Sequence, residues 1–258
     1  MIQIDLDWNC IIDLEEDRPA APYLRQIQGW HNQGMVHLCM AAAHRLENPR
    51  SWDVPTINQD AWEEKLREVG LADIELREAR SRGFLGPDGI LQFDIQLDLW
   101  VMEEIHNRLS PGIDFQYYTY CARCGVDPIN RRLRPSLDAV YKEVEEDQKY
   151  VLRKWTNAKC DALSLYTYST WAGPDDLFVT TDEADFIKHR DRLYQPYHIE
   201  RWVLAPPPGQ TRPFLEPVEL TPQLTNIVIK NLIQGRIVTP QEAVEYLQAR
   251  LAAEKLTV

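Results

Sequence analysis

The chain has no apolar run long enough to cross a bilayer. Its first residues, MIQIDLDW, lack the basic start and long apolar stretch of a secretion signal, so a cytoplasmic location and no membrane partner are expected. Cysteine is sparse: Cys10, Cys39, Cys121, Cys124 and Cys160 are odd in number and scattered, so they read as reduced thiols and no disulfide framework is suggested. No P-loop, dinucleotide fingerprint, HExxH pair or nucleophile elbow is present. Positive charge is in deficit, with a formal net charge of −12. That argues against tight nonspecific nucleic-acid binding, which relies on Lys and Arg. The deficit is smaller in effect if some of the carboxylates are metal ligands, because bound cations offset them locally. No internal repeat or low-complexity segment interrupts the 258 residues, which suffice for one large core or one domain with an addition.

What is present is a set of carboxylates at strand ends. Ile2 to Leu6 reads as a short buried strand, ending in Asp7-Trp8-Asn9. The spacing predicts a helix over about 22–33 that Gly34 stops, a strand over Met35–Met40, and a helix from Ala41 to Asn48 carrying Glu47. Farther on, WTNAKCDALSLYTYSTWAGPDDLFVTTDEADF spans residues 155–186. Lys159 to Trp171 reads as a helix opened by Asp161, residues 177–181 as a strand ending in Asp182, and 184–193 as a helix with Asp185 in its first turn. Strands alternating with helices imply a mostly parallel sheet covered on both sides, in which ligands bind outside the carboxyl ends of the strands. Asp7 and Asp182 both fall at that edge. A concentrated acidic cluster there calls for a divalent cation, which points to metal-assisted phosphodiester chemistry.

The middle is less regular. Residues 61–69 are helical in pattern, Gly83–Gly89 is turn-rich, and Leu91, Phe93, Ile95 and Leu97 alternate as in a strand. A helix over Leu99–Leu109 closes at Ser110-Pro111-Gly112, and Leu137–Lys149 reads as a charged, exposed helix. Ile199–Leu204 reads as a last strand, followed by the linker Ala205-Pro206-Pro207-Pro208-Gly209. Thr239-Pro240-Gln241-Glu242 has the form of a capping box, and the helix after it carries Ala243, Tyr246, Leu247 and Leu251 on one face. The expected organisation is a domain over 1–205, with an insertion at about 50–147, and a C-terminal helical appendage over 210–258.

Taken together, DWNCIIDLEE, the Glu47 helix, CDALSLYTYSTWAG and FVTTDEADF resemble the PIN-like domain family of metal-dependent ribonucleases. The resemblance covers roughly 2–48 and 150–205. Asp7 with Asn9 matches its first motif, Glu47 its second acidic position, Asp161-Ala162 its third, and Thr180, Asp182 and Asp185-Phe186 its last. It implies a three-layer α/β/α fold with a central, mostly parallel sheet, the insertion and the C-terminal helical tail lying outside the match. It also implies one or two Mg²⁺ or Mn²⁺ ions held by Asp7, Glu47, Asp161 and Asp182, with Asp185 as a further ligand. The metal would lower the pKa of a water for in-line attack on phosphorus. Asn9 and Thr180 would orient ligands or a phosphate oxygen, and Lys188 or Arg190 would steady the backbone of an RNA substrate. The implied function is an RNA-hydrolysing nuclease, as a homodimer or with a protein partner. An inactive PIN-like scaffold and the toxin half of a toxin–antitoxin pair are the alternatives.

Blander readings stand beside these. Asp7 can satisfy backbone donors at a strand end, Asp161 and Asp182 can cap helices, and Glu47 can sit early in a helix for dipole reasons. Asp5 falls on the same side of the first strand as Asp7, as a supporting group. Cys121-Ala-Arg-Cys124 has the spacing of half a zinc site without a second half. Arg131, Arg132 and Arg134 read as a solvated face. The eight tryptophans are core residues by default, with Trp52 or Trp100 as candidates for base stacking.

Overall fold

In the computed structural model, residues 1–42, 59–80, 83–85, 91–93, 95–113, 146–205 and 221–255 are described. Glu47, Trp52, Cys121, Cys124 and Arg131–Arg134 lie outside the described residues, as does most of the expected 137–149 helix.

The protein is α/β. Five strands, β1 (Ile2–Leu6), β2 (Val36–Ala41), β3 (Glu75–Arg77), β6 (Leu177–Val179) and β9 (Arg236–Val238), form one sheet in the order β3-β2-β1-β6-β9. Every pairing in it is parallel. Register places Asp5 between Cys39 on β2 and Phe178 on β6. The chain works outward from β1 to β3, then returns to the other side of β1 for β6 and β9. The strand order therefore reverses between β1 and β6, the place beyond whose carboxyl ends open α/β sheets bind ligands.

Alternation along the strands builds two cores. Ile4, Leu6, Val36, Leu38, Met40, Leu177 and Val179 point to one face. They pack with residues of α1 (Trp8–Glu15), α2 (Ala21–Asn32), α3 (Gln59–Glu68) and α7 (Pro240–Lys255). Phe178 and Ile237 point to the opposite face and pack with Val101, Ile105 and Leu109 of α4 (Ile95–Leu109) and with Ala162, Leu165 and Tyr168 of α5 (Glu146–Ser169). A face buried on each side explains why the strands are short and apolar. Among the described residues no helix is long and apolar enough to cross a membrane.

Several expectations need correction. Asp7 is followed at once by α1, which the sequence reading passed over. Residues 83–85 are not turn but strand β4, paired antiparallel with β5 (Leu91–Phe93). Ile95 and Leu97 belong to α4, because spacing by four joins Leu97 to the buried Val101, Ile105 and Leu109 and outcompetes the short alternation. Asp161 does not open a helix. It lies well inside the 24-residue α5, which contains neither Gly nor Pro to interrupt it. The 184–193 helix shrinks to a 3-10 turn at Ile187–His189 and the single-turn α6 (Arg190–Leu193). The 199–204 strand is part of β7 (Tyr197–Ala205), which leaves the main sheet and pairs antiparallel with β8 (Thr221–Ile229).

The largest correction concerns the C-terminal segment. β9 adds to β6 in the main sheet, and Ala243, Val244 and Leu247 of α7 are buried in the first core. This part of the expected appendage completes the α/β unit. Asp176 fixes the junction. Its carboxylate accepts from the Gln3 amide at 2.8 Å and the Gly173 amide at 2.7 Å, and its carbonyl accepts from the Arg236 amide at 2.9 Å. The Tyr168 hydroxyl donates to the same carbonyl at 2.8 Å. A Cβ on Gly235 would overlap that hydroxyl, so glycine there permits the close approach.

Candidate active site at the carboxyl edge of the sheet

Strands β1 and β6 deliver their following residues to this edge of the sheet. The Asp7 amide continues the ladder by donating to the Val179 carbonyl at 2.9 Å. The same carbonyl accepts the Cys10 thiol at 3.3 Å. Asp7 then caps α1: its Oδ1 accepts from the Trp8 amide at 2.8 Å. Its Oδ2 accepts from the Thr180 hydroxyl at 2.7 Å and from Asn9 Nδ2 at 3.2 Å. Thr180 Oγ1 in turn accepts from the Asp182 amide at 3.0 Å, and Asp182 Oδ1 accepts from the Asp185 amide at 2.9 Å. Asn9, Asp7, Thr180, Asp182 and Asp185 thus form one hydrogen-bonded relay across the β1–β6 reversal. Asp7 and Thr180 are buried within it.

The relay also contains the blander roles. Asp7 is a helix cap, and Asp182 ties down the turn before the Ile187–His189 helix. Charge accumulates here as well. Burial raises the Asp185 carboxyl above its ordinary range and the neighbouring Asp182 adds to the effect, while Lys154, His189 and Lys188 oppose it. Burial likewise pushes the Cys10 thiol well up, with Asp7 and Asp13 reinforcing it, so this cysteine is a protonated packing group and no nucleophile.

Asp161 approaches from a helix. The end of α5 and the start of β6 are joined by a short turn, so α5 runs back antiparallel to β6. Tyr168, near the helix end, bonds the carbonyl just before β6. Asp161 lies seven residues earlier on the same stripe, about 10 Å along the axis at 1.5 Å per residue. Asp176 to Thr180 covers about 13 Å at 3.3 Å per residue. Half-buried Asp161 therefore stands near the level of Thr180 and Asp182. Among the described residues no group of three or more His, Cys, Asp or Glu side chains is close enough to hold a metal. Asp7, Asp182 and Asp185 each carry oxygen donors, the kind a hard cation takes.

No family model matches the chain, and no curated protein or solved structure matches it.

Of the two expected substrate cations, Lys188 is exposed beside the relay. Arg190 is engaged within the fold: its Nη1 donates to both oxygens of Glu242, at 3.0 and 2.9 Å. Glu242 also accepts from the Thr239 amide at 2.9 Å, and its own amide donates to Thr239 Oγ1 at 3.2 Å. The capping box is thus present at the start of α7, and Arg190 locks it to α6. Asp5 pairs in register with Phe178 on β6, and the Cys39 thiol lies 3.8 Å from its Oδ2. A cation missed in the sequence is Lys154, exposed on α5. Its signal was the seven-residue spacing to Asp161, two helical turns on one face.

Proposed function

We propose that this chain is a divalent-metal-dependent ribonuclease with a PIN-like site. The observation that carries the reading is the Thr180–Asp7 hydrogen bond across the strand-order reversal, the place where open α/β sheets bind ligands. Asp7, Asp182 and Asp161 would hold Mg²⁺ or Mn²⁺, with Glu47 and Asp185 contributing. When bound, the metal supplies Lewis-acid activation of water and of the phosphodiester. Thr180 and Asn9 hold the Asp7 carboxylate in one orientation, so the ligand is set before a cation arrives. The half-buried Asp185, pressed by Asp182, supports the reading because a cation relieves that repulsion.

The capping bonds of Asp7 and Asp182 favour a second reading, a noncatalytic scaffold in which these carboxylates serve the fold alone. Thermal melting with Mn²⁺ separates the two. A native-state ligand at about 100 times its Kd stabilises by about 2.7 kcal/mol. The nuclease reading expects a melting point that rises with Mn²⁺ and a smaller rise in Asp182→Asn. A melting point indifferent to Mn²⁺ would leave only the scaffold.

A further inference from the structure

The segment that carries Asp182 and Asp185 is built from pieces too short to hold themselves. Ile187–His189 is a three-residue 3-10 turn, and α6 is a single helical turn of four residues. Helices of that length do not persist on their own hydrogen bonds, so tertiary contacts must fix them. Three such contacts reach one short stretch of the C-terminal unit, Ile237–Glu242. The Thr180 amide donates to the Val238 carbonyl at 3.1 Å. The Ile237 amide donates to the Tyr194 hydroxyl at 2.6 Å. Between these two, Arg190 Nη1 donates to both oxygens of Glu242, at 3.0 and 2.9 Å. The segment from Thr180 to Tyr194 is thus attached to β9 at both ends and to α7 in between. Within it, the Phe186 and Ile187 amides bond the Asp182 carbonyl and the Lys188 amide bonds the Glu183 carbonyl, which carries the attachment back to Asp182. The Asp182 amide in turn bonds Thr180 Oγ1, whose hydroxyl donates to Asp7.

We infer that Arg190 and Glu242 are positioning residues, whose ion pair latches the Asp182–Asp185 turn to the C-terminal unit and so holds those carboxylates beside Asp7 for a divalent cation. This rests on the reading of the carboxylates as a divalent-cation site. Neither Arg190 nor Glu242 is a ligand; each acts through the turn. Their side chains are 34% and 39% exposed, so the pair contributes little to global stability. Other contacts keep the segment attached when the pair is lost. Phe186 is fully buried against Phe178, and Arg108 donates to the carbonyls of Arg192 and Pro196. What the pair adds is a restraint on the turn, and a ligand with fewer restraints binds its cation more weakly.

The test is isothermal titration calorimetry with Mn²⁺ alone. The proteins are the wild type, Arg190→Gln, Glu242→Gln, the double variant and a control, Arg250→Gln. Glu242→Gln keeps an acceptor for the Thr239 amide, so the capping box survives. Arg250 pairs with Asp175, just before β6 and at the other end of that strand. Each single variant should bind Mn²⁺ about 10-fold more weakly. The double variant should bind no more weakly than either, because both changes remove one interaction. The sign for Arg190→Gln is decisive: by charge alone, losing a cation would tighten Mn²⁺ binding. No RNA is present, so a lost substrate contact cannot weaken it. Melting in EDTA should stay close to wild type in every variant. If the wild type binds Mn²⁺ and Arg190→Gln binds it equally or more tightly, the latch is wrong and the carboxylate site stands. An Arg190→Gln protein already unfolded in EDTA would also overturn the latch, since the pair would then serve the fold. If the wild type binds no Mn²⁺, the latch falls together with the metal site.

Discussion

The Thr180 hydroxyl donates to the Asp7 carboxylate at 2.7 Å, and both residues are buried. Two strands far apart in sequence are tied there by one side-chain bond. Thr180→Val keeps the shape but removes the donor, leaving Asp7 Oδ2 with Asn9 as its remaining partner in the relay. The expected cost is about 1–3 kcal/mol in urea denaturation. Mn²⁺ affinity should fall about 10–100-fold, as when an orienting partner of a ligand is lost. Thr180→Ser should retain most of both.

Gly235→Ala places a methyl group against the Tyr168 hydroxyl and the Asp176 carbonyl. Overpacking of this kind costs about 1–3 kcal/mol. Tyr168→Phe removes the hydroxyl, at the cost of its bond to Asp176. The double variant should be less destabilised than the sum of the two single ones, because one change makes room for the other. Strict additivity in denaturation midpoints would mean that the close approach at Gly235 carries no strain.

Acid stability should report on the edge of the sheet. Glu75 on β3 is held down at about 2 by the Arg77 guanidinium first and by His37 second. The ion pair with Arg77 spans 2.9 Å, and the contact with His37 2.6 Å. In the unfolded chain a glutamate titrates near about 4.3. Its contribution is therefore present above about pH 4.3 and is lost as pH falls toward about 2. The carboxylate is partly solvated, so the effect is modest. Stability measured from pH 5 to 2.5 should decline less steeply in Glu75→Gln than in the wild type.

Glu242 links α6 to the start of α7 through Arg190 and Thr239. Thr239→Ala should cost about 1 kcal/mol, the usual loss of an N-cap. Glu242→Ala should cost more, since it removes the other half of the capping box and frees Arg190. Proteolysis of the Asp182–Leu193 segment, compared between the two variants, checks this: only Glu242→Ala should expose it.

β1, β2 and β6 were legible because each is short and apolar, and α2 because its apolar residues recur at helical spacing between Pro22 and Gly34. Asp7 and Thr180 stood out as polar residues directly after apolar strands, and Asn9, Asp182 and Asp185 follow within a few residues. Asp161 was correctly assigned to a helix and misplaced within it, because a preceding charged stretch without Gly or Pro can extend a helix unseen. The Arg190–Glu242 pair was hidden because its partners lie 52 residues apart. The place of β9 was hidden by brevity: Arg236–Val238 carries too few residues to show a period, and only tertiary pairing with β6 makes it a strand.

The most direct test of the central claim is cleavage of end-labelled single-stranded RNA by the wild type and by Asp7→Asn, each with Mn²⁺ and with EDTA. The variant's folding is checked by circular dichroism. The account predicts cleavage by the wild type in Mn²⁺, none in EDTA, and a loss of about 100-fold or more in folded Asp7→Asn, exceeding the effect of an orienting partner. Equal cleavage by folded Asp7→Asn would contradict it, as would an intact RNA after incubation with the wild type and Mn²⁺.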